Sequence, residues 1–340
     1  MHNKLSQIII AVFLIILIIS AFILGMDLSR LFNDSISKFL MNGILVLSLI
    51  PMINAGAGIN FGLPVGVVAG LLGMCISINM RLNGISGFVT AIFFTIVVGW
   101  ILGEVYGRIL NNSRGREEVT GTFIGFSFIF LMNFCWTLIP FKNREMLYPI
   151  GGKGLRPKIG LNNYFKGILD DFLLLKLGSI EVPIGSLLFY LVICLFMGFF
   201  FKTVRGRVMI AVGENIRFCR ASGIDVARVK IDAVILSTII AGIGICVYSQ
   251  SYGFVELYNS PMMMAFPAAS AILIGGASRN RTYIFEAIIG TYLFQSIYLL
   301  SSPIANEVLL PEVSEIFRMM ISNSIILYAL LKQKGGKDEV

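Results

Sequence analysis

Residues 203–224 read Thr-Val-Arg-Gly-Arg-Val-Met-Ile-Ala-Val-Gly-Glu-Asn-Ile-Arg-Phe-Cys-Arg-Ala-Ser-Gly-Ile, and this polar stretch separates two long apolar segments, Ile184–Phe201 and Ile231–Tyr252. Seven lysines and arginines lie between Lys202 and Lys230. Cytoplasmic loops of membrane proteins carry such an excess of basic residues. The stretch is therefore predicted to be a cytoplasmic loop that joins two membrane-spanning helices.

The composition of the whole 340-residue chain supports this prediction. Hydrophobic residues make up 56% of the chain and charged residues only 14%, whereas soluble domains have about 25% charged residues. This composition excludes an ordinary soluble enzyme, a disordered chain and a small disulfide-stapled domain. The net charge of +8 is attributed to cytoplasmic loops and not to nucleic-acid binding, because no basic run is interleaved with exposed aromatic residues.

Ten apolar segments along the chain approach the roughly 20 residues that a helix needs to cross a bilayer. They are Ile8–Leu24, Phe39–Ile53, Leu63–Ile78, Phe88–Ile109, Val119–Ile139, Ile184–Phe201, Ile231–Tyr252, Met262–Ala277, Tyr283–Leu300 and Ile316–Leu331. With the N-terminus inside, sixteen of the 27 lysines and arginines fall on the cytoplasmic side. The predicted fold is therefore all-α: one transmembrane helical bundle over residues 1–340, with about ten spans and both termini in the cytoplasm.

A long polar segment, residues 140–182, falls on the extracellular side in this topology. Apolar residues recur in it at helical spacing, namely Phe165, Ile168, Leu169, Phe172 and Leu173. An amphipathic helix over Tyr164–Leu177, lying at the outer membrane interface, is therefore predicted. Two roles are open for this helix, a docking surface for an extracellular partner and a lid over the bundle.

The segment between the second and third spans, Asn54-Ala-Gly-Ala-Gly-Ile-Asn-Phe-Gly-Leu-Pro64, has no charged residue. We call residues 54–64 the break and expect it to lie within membrane depth, where irregular backbone must be buried in protein or line an aqueous path. Two roles are open for its asparagines, lining a translocation path and capping helix ends. The candidate path residues are Asn54, Gly58, Asn60, Phe61 and Pro64.

Glycines recur at every fourth position from the break into the third span, which places them on one helix face. Faces of small residues let membrane helices approach closely. Helix packing, and not chemistry, is therefore predicted for these glycines and for a glycine pair late in the chain. The predicted packing residues are Gly62, Gly66, Gly70, Gly275 and Gly276.

The sequence contains no nucleotide-binding loop of the form G-x-x-x-x-G-K-[ST], no H-E-x-x-H motif and no nucleophile elbow. The single histidine, His2, lies at the N-terminus, and the five cysteines are interpreted as free thiols. No catalytic residue, metal ligand or cofactor is predicted, and the chain is not expected to be an enzyme.

Two functions remain open at this point. The first is a transport subunit that another protein drives, and the second is a self-sufficient secondary transporter or channel. For the second, Glu104 is the best proton site, although Arg108 lies one helical turn later. Asp232 and Glu286 lie near span ends, so no acidic residue falls near a predicted membrane midplane, where coupling sites are expected.

Within the basic loop, residues Glu214–Ser222 are predicted to form a short helix, with Gly213 before it and Gly223 as its C-terminal stop. Small residues at 221 and 222 beside arginines at 217 and 220 would suit a docking surface. The alternative is a basic loop that has no partner.

The loop resembles that of the ribose-type permeases of ABC importers, which belong with the branched-chain amino acid permeases. The residues that match the family pattern are Thr203, Gly206, Arg207, Ala211, Gly213, Asn215, Ser222, Gly223 and Ile224. Residues 182–185 and 272–278 also match, and the resemblance runs from about Asn42 to Leu331. The chain departs from the family pattern at Asn60, which replaces an acidic residue, and at residues 279–281, which replace a glycine-rich turn.

The resemblance implies a multi-pass permease subunit of the bacterial cytoplasmic membrane that binds no ATP itself. Its implied partners are cytoplasmic ATP-binding cassette subunits, a second permease copy or paralogue and an extracytoplasmic solute-binding protein. The implied solute is small and polar, a monosaccharide of the ribose or galactose type or a nucleoside. Residues 202–230 would be the coupling loop, and the implied ATPase-coupling residues are Gly213, Glu214, Asn215, Arg217, Ala221, Ser222, Gly223 and Ile224.

Overall fold

The computed structural model describes residues 2–113, 116–148, 154–278 and 281–308, together with residues 316, 320 and 324. This part of the chain is predominantly helical. Six of its helical stretches are long and apolar enough to cross a membrane, namely Leu28–Asn54, Gly84–Asn112, Glu117–Leu138, Ile184–Lys202, Val226–Tyr252 and Ile284–Glu307. Three shorter apolar helical stretches are Ile8–Ile23, Leu63–Asn79 and Ser260–Ile274.

The helices in chain order are α1 (His2–Ile23), α2 (Leu28–Leu47), α3 (Ile50–Asn54), α4 (Leu63–Asn79), α5 (Gly84–Asn112), α6 (Glu117–Leu138), α7 (Ile184–Lys202), α8 (Val204–Glu214), α9 (Ile216–Ala221), α10 (Val226–Tyr252), α11 (Ser260–Ile274) and α12 (Ile284–Val308). The short strands are β1 (Lys158–Gly160), β2 (Leu174–Leu177), β3 (Ile180–Pro183) and β4 (Phe254–Glu256). They form two antiparallel pairs, β1 with β4 and β2 with β3.

Nine of the ten predicted apolar segments coincide with helices of the described chain. The tenth, Ile316–Leu331, lies outside the described residues except for three isolated positions. The span count of ten and the cytoplasmic location of both termini therefore stay predictions.

The second span is longer than the segment Phe39–Ile53 suggested. It begins at Leu28, because the Asp27 side chain accepts hydrogen bonds from the backbone N–H groups of Ser29 and Arg30 and caps the helix. Together α2 and α3 give an apolar stretch of 27 residues. This length is sufficient for a full crossing.

The amphipathic helix predicted over Tyr164–Leu177 is wrong. Residues 162–172 form successive turns, and the following residues form β2. Gly167 has a φ of 63°, and its N–H donates to the Gln250 carbonyl at 2.9 Å. The Leu169 N–H donates to the Gln250 side-chain oxygen at 3.2 Å. Because α10 takes these backbone donors, they cannot form the internal bonds of a helix.

Helices α4 and α10 form the centre of the described bundle. A Cβ on Gly66 would lie 2.6 Å from the Ala241 Cβ and 2.7 Å from the Thr238 carbonyl oxygen. One turn later, a Cβ on Gly70 would overlap the Gly242 carbonyl and the Ile245 side chain. The two backbones are therefore in direct contact, which only glycine permits at these positions.

A second close crossing joins α11 to α12. A Cβ on Gly275 would overlap the Glu286 carbonyl, and a Cβ on Gly290 would overlap the Ala271 carbonyl. The next residue, Gly276, has a φ of 97°, so it turns the chain out of α11 in the left-handed conformation.

Helices α5, α6 and α7 each expose large apolar side chains on one side of the bundle. Less than a third of the most apolar window of each helix is buried. A lipid bilayer accounts for this exposure, because apolar faces of this extent are not stable in water. Examples are Phe93, Trp100, Phe123, Phe134, Leu195 and Phe199.

The substitution Gly70→Ala tests the central crossing. We expect a loss of about 1–3 kcal/mol in stability, because the new methyl group meets backbone that cannot move aside. The measurement is thermal unfolding of the purified chain in detergent. Gly198→Ala in α7 is the matched control, since its Cβ would meet only Ile284 at 3.7 Å. Equal melting temperatures for the two variants would contradict the close contact.

Candidate functional site

The basic loop folds into two helices, α8 and α9, which we call the loop helices. Thr203 caps α8 by accepting a hydrogen bond from the Gly206 N–H at 3.3 Å. Asn215 ends α8 and caps α9 by accepting from the Phe218 N–H at 2.9 Å. The single helix predicted over Glu214–Ser222 is therefore wrong at its start, because Asn215 (φ −149°, ψ 88°) leaves the helical region of the backbone.

Helix α9 has one buried side and one exposed side. Cys219 is buried in a cluster with Val212 and Val226, and Ile224 packs against that cluster. Gly223 follows with a φ of 79° and ends the loop helices. The exposed residues are Arg217, Phe218, Arg220, Ala221 and Ser222.

Phe218 is the residue of this surface that the sequence analysis missed. Its side chain is 66% exposed, while the neighbouring Cys219 is 1% exposed. The signal was present in the sequence, because an aromatic residue between Arg217 and Arg220 has no evident reason to occur in a solvated basic loop. Exposed aromatic residues beside arginine are typical anchors of protein interfaces.

The loop helices contact the break directly. Gly56 has a φ of 65°, and a Cβ on it would lie 3.1 Å from the Gly213 Cα. Ala55 is buried in a cluster with Met209 of α8 and Ala233 of α10. The backbone of α8 therefore lies against the backbone of the break with no side chain between them.

Two polar contacts connect this region to the segment before α12. Arg281 forms an ion pair with Glu214 of α8 at 2.8 Å. Thr282 donates its N–H to the Asn54 Oδ1 at 2.8 Å, and its carbonyl accepts from the Asn54 Nδ2 at 3.1 Å. The Asn54 amide therefore donates to and accepts from the same residue, which holds the start of α12 against α3.

Asn60, the second asparagine of the break, joins two further helices. Its Oδ1 accepts from the Tyr106 hydroxyl at 2.9 Å, and its Nδ2 donates to the Ser237 Oγ at 2.8 Å. A carboxylate could not donate to Ser237, so the amide suits this pair of partners. A Cβ on Gly62 would overlap the Tyr106 ring, so this glycine makes room for the tyrosine.

The remaining path candidates lie on the α6 side of the break. A Cβ on Gly58 would lie 2.9 Å from the Glu118 side chain, so this glycine lets the start of α6 approach. Phe61 and Pro64 line a small cavity together with Phe126 and Phe266. The five path candidates thus contact different neighbours, namely the start of α12, α5 with α10, and α6. Both asparagine side chains form hydrogen bonds within the protein.

Glu104, the proton-site candidate of the alternative hypothesis, lies in a network of ion pairs. Its Oε1 is 2.8 Å from Arg108 and 2.9 Å from Arg228. Arg228 in turn lies 3.0 Å from Asp232. Two arginines therefore balance the charge of the Glu104 carboxylate. These ion pairs account for Glu104 as a structural residue, without a role in proton transfer.

Metal binding has no support in the described part of the chain. No group of three or more His, Cys, Asp or Glu side chains there could hold a metal ion. The cysteines at 75, 135, 194, 219 and 246 are free thiols.

Membrane-length helices, a glycine-packed centre and projecting loop helices define a polytopic membrane protein. The family model described as "Branched-chain amino acid transport system / permease component" matches residues 5–329. The chain belongs to this family of ABC transport permeases, which are transport components and not enzymes.

The curated relatives include proteins named "Autoinducer 2 import system permease protein LsrD". The one from Photorhabdus luminescens is 28% identical over 272 residues, which cover 77% of this chain and 74% of the relative. The one from Yersinia pestis (strain Pestoides F) is 24% identical over 304 residues, which cover 85% of this chain and 83% of the relative. No solved structure gives a significant match.

The substitution Asn60→Leu tests the hydrogen-bonded link across the break. It leaves the Tyr106 and Ser237 hydroxyls without their buried partner, and each such loss costs about 1–3 kcal/mol. We expect a lower melting temperature of the purified chain. In the double variant with Tyr106→Phe the penalties should be less than additive, because one hydroxyl no longer needs a partner. Strictly additive losses would rule out the link.

Proposed function

We propose that the chain is the membrane-spanning permease subunit of an ABC importer in the bacterial cytoplasmic membrane. Separate ATPase subunits would drive it through the loop helices, and an extracytoplasmic binding protein would deliver the solute. A second permease copy or paralogue would complete the path. The observation that carries the proposal is the unbroken series of contacts from the exposed face of α9 to the break.

The first step of this series is the docking surface on α9. Phe218 projects from it between two arginines, while Cys219 anchors the opposite side in the cluster with Val212. Such a surface offers an apolar anchor and positive charge to a partner. Because the sequence has no nucleotide-binding loop of its own, an ATPase is the partner that the proposed importer needs.

The second step is the transmission of motion from the docking surface. The contact of Gly213 with Gly56 and the Glu214–Arg281 ion pair attach α8 to both the break and the start of α12. Asn54 joins those two parts to each other. A displacement of the loop helices would therefore move α3 and α12 together, as a rigid-body tilt requires.

The solute of this chain is proposed to be small, polar and sugar-like. The relatives are named for the import of autoinducer 2, and their 24–28% identity supports the substrate class and not that compound. In the proposed importer the binding protein sets most of the selectivity, and the permease supplies a path for hydroxyl-bearing solutes.

Charge reversal at Glu214 tests the transmission. Glu214→Arg places two positive charges together, and we expect uptake per ATP hydrolysed to fall while ATPase activity persists. The stability cost should be below about 1 kcal/mol, because the Glu214–Arg281 pair is exposed. The double variant Glu214→Arg/Arg281→Glu restores the pair and should restore uptake. The measurement is solute uptake together with ATP hydrolysis in vesicles that contain the assembled importer.

Normal uptake in the single variant would remove this role from the ion pair. Active accumulation of solute by the reconstituted chain alone, without any ATPase, would overturn the proposed function itself.

The substitution Phe218→Asp tests the docking surface. We expect co-purification of the ATPase with the tagged chain to be lost, because a carboxylate replaces the apolar anchor. Phe172→Asp is the matched control, since Phe172 is also 66% exposed but lies in the segment predicted to be extracellular. An equal yield of ATPase with both variants would contradict docking on α9.

A further inference from the structure

A cavity of about 360 Å³ lies between α2, α10, α11 and α12, away from the loop helices. Its volume falls within the range of about 300–1,000 Å³ that small-molecule sites occupy. Glu256 of its wall belongs to β4, which pairs with β1 of the segment predicted to be extracellular. The polar residues of the wall are Lys38, Asn42, Glu256, Ser260, Gln295 and Ser302.

Gln295 is the most informative residue of this wall. Its side chain is only 6% exposed, and its amide forms no hydrogen bond with any other residue in the described ranges. The amide atoms are open to the cavity and are not among the enclosed side-chain atoms that lack a partner, so a molecule in the cavity can bond to them. Because Gln295 lines the cavity, a hydroxyl-bearing occupant would supply the missing partners.

Other polar groups of the wall are also available to an occupant. Ser260 is 3% exposed, and its hydroxyl has no hydrogen-bond partner among the residues that the structure covers. The Asn42 Nδ2 donates to the Lys38 carbonyl at 2.9 Å, which leaves its Oδ1 as an acceptor. The wall therefore offers both donors and acceptors, as recognition of a hydroxyl group requires.

Aromatic rings form the apolar part of the wall. The rings of Phe294 and Tyr298 are stacked with centroids 6.1 Å apart and an angle of 19° between their planes. Tyr248 adds a third ring. Flat rings with a negative face attract the weakly positive C–H groups of a sugar ring, while the amide and hydroxyl groups suit its hydroxyls.

The wall carries charged groups of both signs. Glu256 carries a negative charge, which Lys158 partly balances through an ion pair at 2.5 Å. Lys38 carries a positive charge and has no ion-pair partner within the described part of the chain. Both charged groups can form hydrogen bonds with the hydroxyls of an uncharged polyol, the ammonium group as a donor and the carboxylate as an acceptor.

We propose that this cavity binds a neutral polyhydroxylated solute of monosaccharide size, with the Gln295 amide both donating to it and accepting from it. The inference rests on the proposed function and deepens it, since it gives the importer a solute-binding site within the permease subunit. The stacked rings bind one face of the sugar, and the hydroxyls of Ser260 and Tyr248 bind its edge.

The test uses the purified full chain in lipid nanodiscs. D-ribose, D-galactose and L-leucine are titrated separately by calorimetry, and the melting temperature is followed in parallel. We expect at least one of the two sugars to bind and L-leucine not to bind. In Gln295→Leu the affinity for that sugar should fall by roughly tenfold or more, because two hydrogen bonds to a buried amide are lost.

The ligand-free behaviour of the same variant separates binding from folding. Because the Gln295 amide forms no hydrogen bond with the described residues, Gln295→Leu should not lower the melting temperature of the ligand-free chain. Ser296→Ala is the matched control, since the adjacent residue lines a separate cavity with Tyr292 and Leu14. It should leave sugar affinity unchanged.

Three results would overturn this site: neither sugar binds the wild-type chain, L-leucine alone binds it, or Gln295→Leu binds the sugar as tightly as the wild type. ATP-driven uptake that persists in any of these cases would retain the importer and reject only the cavity. Sugar binding that depends on Gln295, found together with accumulation that needs no ATPase, would support the cavity and reject the proposed drive.

Discussion

The direct backbone contact between α4 and α10 is the constraint on which the rest of the structure depends. Gly66 and Gly70 leave no room for a side chain between the two helices, and a Cβ on Gly242 would likewise lie 3.1 Å from the Gly66 carbonyl oxygen. In a bilayer the hydrophobic effect does not drive helices together, so close van der Waals packing has to do so. This crossing fixes the centre around which the more exposed helices pack.

The break is possible because its polar side chains find hydrogen-bond partners on the elements that surround it. Irregular backbone inside a membrane bundle must find partners within the protein. Asn54 bonds to the backbone of Thr282, and Asn60 bonds to Tyr106 and Ser237. The same two amides therefore stabilise the break and connect it to α5, α10 and the start of α12, so that the break is a junction of these three helices.

Hydropathy and charge predicted ten spans and the basic loop, and nine of the ten segments coincide with helices of the described chain, because both signals depend on local composition. The predictions that were wrong depended on contacts between residues distant in sequence or on single capping residues. Gln250 removes the donors of the expected helix at Tyr164–Leu177, and Asn215 divides the loop helix. The partner of Asn54 lies 228 residues away, so no local pattern could identify it, although the pattern did select both asparagines.

The distribution of charge argues for an external source of energy. A proton-driven transporter needs an ionisable group on the path that can change its proton occupancy. Glu104 is held by Arg108 and Arg228, and protonating it would leave two arginines without their shared counter-ion. The break itself has neutral amides where charge could have been placed. A junction built from neutral hydrogen bonds has no group of its own to couple to an ion gradient, which agrees with the proposal that an external force would enter at the exposed, basic and aromatic surface of α9.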